Sequence, residues 1–189
     1  MKHIYLIFTQ TGTSASRMFK AFTKMPYNHA SISFDRELTE MYSFGRRVLY
    51  FQFLAGLIQE DPDTHVYKRF PDTTCRIIAL PVTDEQYARA KQEVNLFWVE
   101  VDKYKYDILG VPARAAGVKW KRDYRFVCSE FVGLVLSRAG ILHYSEAECY
   151  FLKPSDLYNI PGSETIYIGT LKGYNRGNFY SNLRTAYNL

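Results

Sequence analysis

No stretch of this chain reaches the roughly 18 uninterrupted apolar residues that a membrane-spanning helix requires, so no transmembrane segment is expected. The opening Met1-Lys-His-Ile-Tyr-Leu-Ile-Phe8 gives way at once to the polar Thr9-Gln-Thr-Gly-Thr13, and reads as a buried strand rather than a signal peptide. Cysteine is scarce. Cys75, Cys128 and Cys149 are odd in number and widely spaced, which excludes a disulfide framework and a CxxC zinc pair and fits a reducing, cytoplasmic compartment. No internal repeat, low-complexity tract or nucleic-acid recognition motif is visible, and no nucleic-acid partner is expected. Acidic residues also run out: none follows Glu164.

What is present is enough for one core. With 189 residues, 47% of them apolar or aromatic, residues 1–189 read as a single domain. The formal charge of +5 is uneven, because Arg114, Lys119, Lys121, Arg122 and Arg125 cluster with only Asp123 among them. A solvated basic face is the plain reading. Its alternatives are an anionic substrate or peripheral contact with a membrane surface.

Periodicity outlines the elements. Residues 14–24 put Met18, Phe19 and Phe22 at helical spacing behind serine, with Pro26 as the stop. His29-Ala-Ser-Ile-Ser-Phe34 alternates as a strand, and after Asp35-Arg-Glu37 a second strand, Leu38 to Phe44, returns beside it. Residues 45–63 carry no clear pattern. His65 to Phe70 and Arg76 to Pro81 are further strand candidates. Thr83-Asp-Glu-Gln86 is a capping box opening a helix with Tyr87, Ala90, Val94, Phe97 and Val101 on one face. Residues 110–125 read as a loop with a helical turn. Ser129 to Ala139 is apolar nearly all round, as a buried helix is, and Gly140 ends it. Thr165 to Leu171 is a last strand.

The chemistry concentrates at two positions. Cys128 stands where the loop meets the N-terminus of the most buried helix, whose unsatisfied N–H groups favour an anion and hence a thiolate; the alternative is a small apolar core residue in Phe126-Val-Cys-Ser-Glu-Phe131. His29 enters its strand followed by the small residues Ala30, Ser31 and Ser33, which leave room for a sulfur beside the ring. His3, His65 and His143 lack such a setting. Cys75 precedes a strand interior and Cys149 has no helix start behind it, so both read as structural. Glu130, in the first helical turn, reads as a dipole partner.

Tyr27-Asn-His-Ala-Ser-Ile-Ser33, then Tyr106-Asp-Ile-Leu-Gly110, then Phe126-Val-Cys-Ser-Glu-Phe-Val-Gly-Leu-Val-Leu136, in that order, resemble the YaeF/YiiX-type permuted papain-like amidases, relatives of the NlpC-type peptidases and of lecithin-retinol acyltransferase. The histidine precedes the cysteine, as in that circularly permuted family, at a separation of 128 − 29 = 99 positions. The resemblance runs over roughly residues 3–160, its specific parts being the His and Cys blocks. It implies an α+β fold with a five- or six-stranded antiparallel sheet or half-barrel packed against helices, the cysteine heading a core helix and the histidine on the facing strand. It also implies a polar residue on the next strand to orient the imidazole; Glu40 and Ser43 both qualify, Glu40 being favoured for its charge, and strand register decides between them. Tyr27, Tyr106, Asp107 and Ser129 are the accompanying substrate-side positions, Tyr106 and Asp107 having a plain alternative as ties between loop and core.

The expected activity is thiol-imidazole hydrolysis of an amide, with a peptide, amino-acid amide or cell-wall-like fragment as substrate and no metal or cofactor needed. Acyl transfer or lipid ester cleavage is the alternative within the same fold, and ligand binding without catalysis the alternative from another class.

Overall fold

A computed structural model describes residues 1–12, 26–48 and 51–175; the expected helix over 14–24 lies outside them. Eight strands are present among the described residues: β1 (Lys2–Gln10), β2 (His29–Ser33), β3 (Met41–Val48), β4 (Phe51–Glu60), β5 (Thr74–Val82), β6 (Lys105–Tyr106), β7 (Arg125–Phe126) and β8 (Glu164–Thr170). The helices are α1 (His65–Arg69), α2 (Asp84–Val99), α3 (Gly110–Ala115), α4 (Cys128–Arg138) and α5 (Glu146–Phe151). Six strands form one antiparallel sheet in the order β4-β3-β2-β1-β5-β8, while β6 and β7 pair in parallel apart from it. The architecture is α+β.

The period of two along each strand sorts side chains onto the two faces of this sheet. Ile4, Leu6 and Phe8 of β1, Ala30 and Ile32 of β2, and Ile78 and Leu80 of β5 face α2 and α4. On that side Phe97 meets the rings of Phe44, Tyr104, Phe126 and Phe131 at centroid separations of 4.9–6.2 Å. α4 is buried on every side from Cys128 to Leu136, and its Gly133 lets Leu152 come so close that a Cβ would collide with it. Ile7, Met41, Cys75 and Ile77 point the other way into a smaller cluster closed by Tyr67 and Leu171.

Several expectations change. His65–Arg69 is a helix rather than a strand: the Asp61–Thr64 turn starts it, with Thr64 N–H donating to Asp61 carbonyl, and one helical turn brings Tyr67 back over the sheet. Residues 45–48 and 51–60, patternless in sequence, continue β3 and make β4, paired so that Met41 lies opposite Glu60 and Gly45 opposite Gly56. The β2–β3 turn is also longer than it reads, since the Asp35 carboxylate takes the N–H groups of Thr39 and Glu40 and Leu38 has a positive φ of 62°, delaying β3 to Met41. Cys149 does lie behind a helix start, the Ser145 cap of α5. The capping box at Thr83, the span of α2 and the Gly140 stop of α4 match the sequence.

The ring cluster is where packing is least replaceable. Phe97→Ala should cost about 3–5 kcal/mol by urea unfolding, whereas Leu96→Ala, on the exposed side of the same helix turn, should change stability by less than about 0.5 kcal/mol.

Candidate active site

His29 and Cys128 meet. Cys128 is the first residue of α4, and α4 packs on β2, so a residue at the helix N-terminus lies beside one at the start of the strand. The two side chains lie close enough for the imidazole to favour the thiolate, and the backbone N–H groups of Ala30 and Ser129 act on the sulfur in the same sense. On its other side the His29 ring gives Nε2 to Glu60 Oε1 at 2.7 Å, which leaves Nδ1 for the sulfur. The imidazole side chain is 22% exposed, and Cys128 only 3%.

Glu60 is the residue that sequence reasoning missed. It closes β4, is 7% exposed, and shares a sheet face with Ser31, Ser43 and His29. Four donors surround it. Oε1 accepts from His29 and from the Ser43 hydroxyl, and Oε2 from Ser31 Oγ at 3.0 Å and from the Tyr67 hydroxyl at 2.6 Å. The four side chains come from β2, β3 and α1 and fill the acceptor positions of one carboxylate. Gly45 keeps the space open, because a Cβ there would come within 2.9 Å of Ile58 Cδ1 and 3.5 Å of Glu60 Oε1. The only sequence trace of Glu60 is an acid ending an otherwise apolar run, Phe53 to Ile58, that itself lacks a strand-like alternation.

The charges follow from this geometry. Burial by itself pushes the His29 imidazole down, but the Glu60 carboxylate, the neighbouring Cys128 thiol and the bond to Glu60 outweigh it and raise its pKa to about 10. Burial would raise Glu60, yet the His29 charge and the hydrogen bonds from His29, Ser43 and Tyr67 bring it to about 2. Cys128, desolvated in the same way, ends below the ordinary thiol value because His29 and the two N–H groups favour its anion. Tyr67 moves well above the ordinary phenol value, through burial and then through Glu60, so it stays a donor. By contrast burial pushes the Cys75 thiol up to about 12 and raises Cys149 as well. Of the three thiols only Cys128 is shifted toward its anion.

The other expected site residues divide. Ser43 lies in the cluster but reaches Glu60, not the imidazole. Glu40 does not orient His29: the pairing of Ser33 with Met41 turns it to the opposite face, where it bonds Lys91 of α2 at 2.6 Å. Tyr106 lies beside Cys128, its phenol pushed well above the ordinary value by burial and then by the sulfur. Asp107, fully buried, is taken up by Arg114 at 2.6 Å, by Arg122 and by the Gly110 N–H, and is a structural tie rather than a substrate contact. Ser129 is likewise occupied, its hydroxyl donating to the Leu152 carbonyl at 2.5 Å. Tyr27 stacks edge-on to Tyr158 at 5.9 Å, two residues from His29.

The basic cluster is also largely spent. Arg114 spans Asp107 and Glu130, Lys121 bonds Glu130 at 2.5 Å, and Arg122 bonds Asp107. Glu130 accepts as well from the Val127 N–H at 3.4 Å, so it serves the helix N-terminus and pins the preceding loop to it. Of the five cations, Lys119 and Arg125 remain outside this network. Among the described residues no cluster of His, Cys, Asp and Glu has the arrangement to hold a metal ion, and no helix is long and apolar enough to cross a membrane. No known family model, curated protein or solved structure matches the chain.

The ion pair carries a pH signature. Glu60, lowered on folding, contributes stability that is present above its unfolded value and lost as pH falls toward 2; His29, raised on folding, contributes stability that is present below its unfolded value and lost as pH climbs through 10. The stability advantage of the native chain over Glu60→Gln should therefore be greatest between about pH 4.3 and 6.5 and shrink on both sides, as read by urea unfolding across pH.

Proposed function

We propose that the chain is a cysteine-nucleophile hydrolase of amide bonds, with Cys128 as nucleophile, His29 as the acid and base, and Glu60 as the residue that orients His29. The observation that carries this reading is one imidazole bonded to a buried carboxylate and set beside a thiol whose anion it favours. That is the arrangement of a thiol-imidazole triad, recognised by geometry and role rather than by sequence position. The histidine-first order and the six-stranded antiparallel sheet beside a cysteine-headed helix are in keeping with a circularly permuted papain-like fold of the YaeF/YiiX type.

The chemistry runs through these atoms. The Cys128 thiolate attacks the carbonyl carbon, and the carbonyl π electrons move to oxygen. The Tyr106 hydroxyl, which lies beside Cys128, and the N–H groups at the start of α4 are the donors available to that oxyanion. Collapse of the tetrahedral intermediate breaks the C–N bond as the His29 imidazolium gives its proton to the leaving amine, leaving a thioester on Cys128. Water, losing a proton to His29, then attacks the thioester and releases the acid and the thiolate. A peptide, amino-acid amide or cell-wall-like fragment is the substrate class proposed.

A second reading, ester cleavage or acyl transfer on a lipid-like substrate, is favoured by the exposed Leu109, Val118, Trp120 and Tyr124 in the segment leading to Cys128. Paired assays with amino-acid amides and with long-chain esters separate the two. A non-catalytic binding protein is separated by thiol reactivity. Iodoacetamide alkylation followed by mass spectrometry from pH 5 to 9 should label Cys128 ahead of Cys75 and Cys149, with a midpoint well below the roughly 8.5 of free cysteine, and His29→Ala should abolish that advantage. Labelling of Cys128 no faster than free cysteine would remove the catalytic reading.

A further inference from the structure

Glu60 does not hold its orientation alone, and the way it is held identifies another functional residue. A carboxylate with one partner rotates about its last bond at little cost; here Oε2, the oxygen turned away from His29, is anchored by Ser31 Oγ at 3.0 Å and the Tyr67 hydroxyl at 2.6 Å. Those two bonds fix the carboxylate plane and so present Oε1 to the imidazole at 2.7 Å. Ser31 is a neighbour of His29 on its own strand. Tyr67 comes from α1, the short helix that follows β4 and covers the far face of the sheet, and its ring packs with Ile7, Leu38, Met41, Cys75 and Ile77.

We propose that Tyr67 is a positioning residue for the reaction: its hydroxyl clamps Glu60 Oε2, and through Glu60 it sets the orientation and charge of His29 and hence the state of Cys128. This rests on the thiol-imidazole reading above. Tyr67 touches neither the thiol nor the imidazole in any bond described, so its effect passes through the carboxylate. The ionisable groups facing the cluster are His29, Glu60, Cys128, Tyr67 and, beside the sulfur, Tyr106, which comes from β6 rather than from α1. With the hydroxyl gone, Glu60 loses a donor that favours its ionised form and is freer to turn from His29. Both changes weaken the imidazolium's hold on the thiolate.

The test is the acid limb of Cys128 thiolate formation, followed by the pH dependence of alkylation in the native chain, Tyr67→Phe, Ser31→Ala and Leu171→Ala. Tyr67→Phe keeps the ring and its packing and removes one hydroxyl; it should shift the limb upward in pH and lower the alkylation rate at pH 6 by about tenfold, the effect of one hydrogen bond to a charged group. Ser31→Ala, which removes the other donor to the same oxygen, should shift it in the same direction. Leu171→Ala, in the same cluster but without a polar group, should lower the melting temperature and leave the limb in place. A native limb that is low and unchanged in Tyr67→Phe and Ser31→Ala overturns the positioning role and leaves the hydrolase reading standing. A native limb at the value of free cysteine instead overturns the hydrolase reading itself.

Discussion

A carboxylate buried in the sheet is the constraint around which the rest of this structure is arranged. Stripping Glu60 of water costs several kcal/mol unless its charge is paired and its acceptor positions are filled. Both conditions are met by side chains that must arrive from three different elements: His29 and Ser31 from β2, Ser43 from β3 and Tyr67 from α1. A one-residue slip in either hairpin would send Ser43 or Ser31 to the other face and leave the charge uncompensated. Register, the β3–β4 hairpin and the return of α1 over the sheet are thus tied to a single charge.

A second buried network sits behind the helix that carries Cys128. Asp107 and Glu130 would be untenable alone at 0% and 1% exposure, and Arg114, Lys121 and Arg122 neutralise them. Their effect is to fasten the loop over 109–125 and the β6–β7 pair to the first turn of α4. Cys128 is therefore placed between two charged clusters of different purpose. One reaches the sulfur through an imidazole and bears on its reactivity, and the other fixes the helix end on which the sulfur stands. Tyr106 joins them, since it neighbours Asp107 in the chain and lies beside the sulfur.

The helices with strong local signals were legible beforehand. Thr83 and Gln86 form their reciprocal cap where the sequence places one, and the all-apolar run after Cys128 is the buried helix that its composition requires. The strand from Phe51 to Glu60 was not legible, because its face toward the smaller cluster mixes apolar residues with a glutamate whose partners lie elsewhere in the chain. The helix at His65 was mistaken for a strand because five residues are too few to establish a period, and its Tyr67 is placed by a tertiary hydrogen bond.

The candidate site divides along the same line. Residue order alone singled out Cys128, by its place at the head of a buried helix, and His29, by the small residues that follow it, because helix caps and strand alternation are local and are written in neighbouring positions. That the two side chains meet, that Glu60 rather than Glu40 faces the imidazole, and that Asp107, Ser129 and most of the basic cluster are consumed by internal bonds were decided only by the tertiary structure. The physical reason is strand register and helix docking. Each moves a side chain from one face to another without changing its sequence neighbours, and a buried charge finds its partners across 7 to 31 residues of chain.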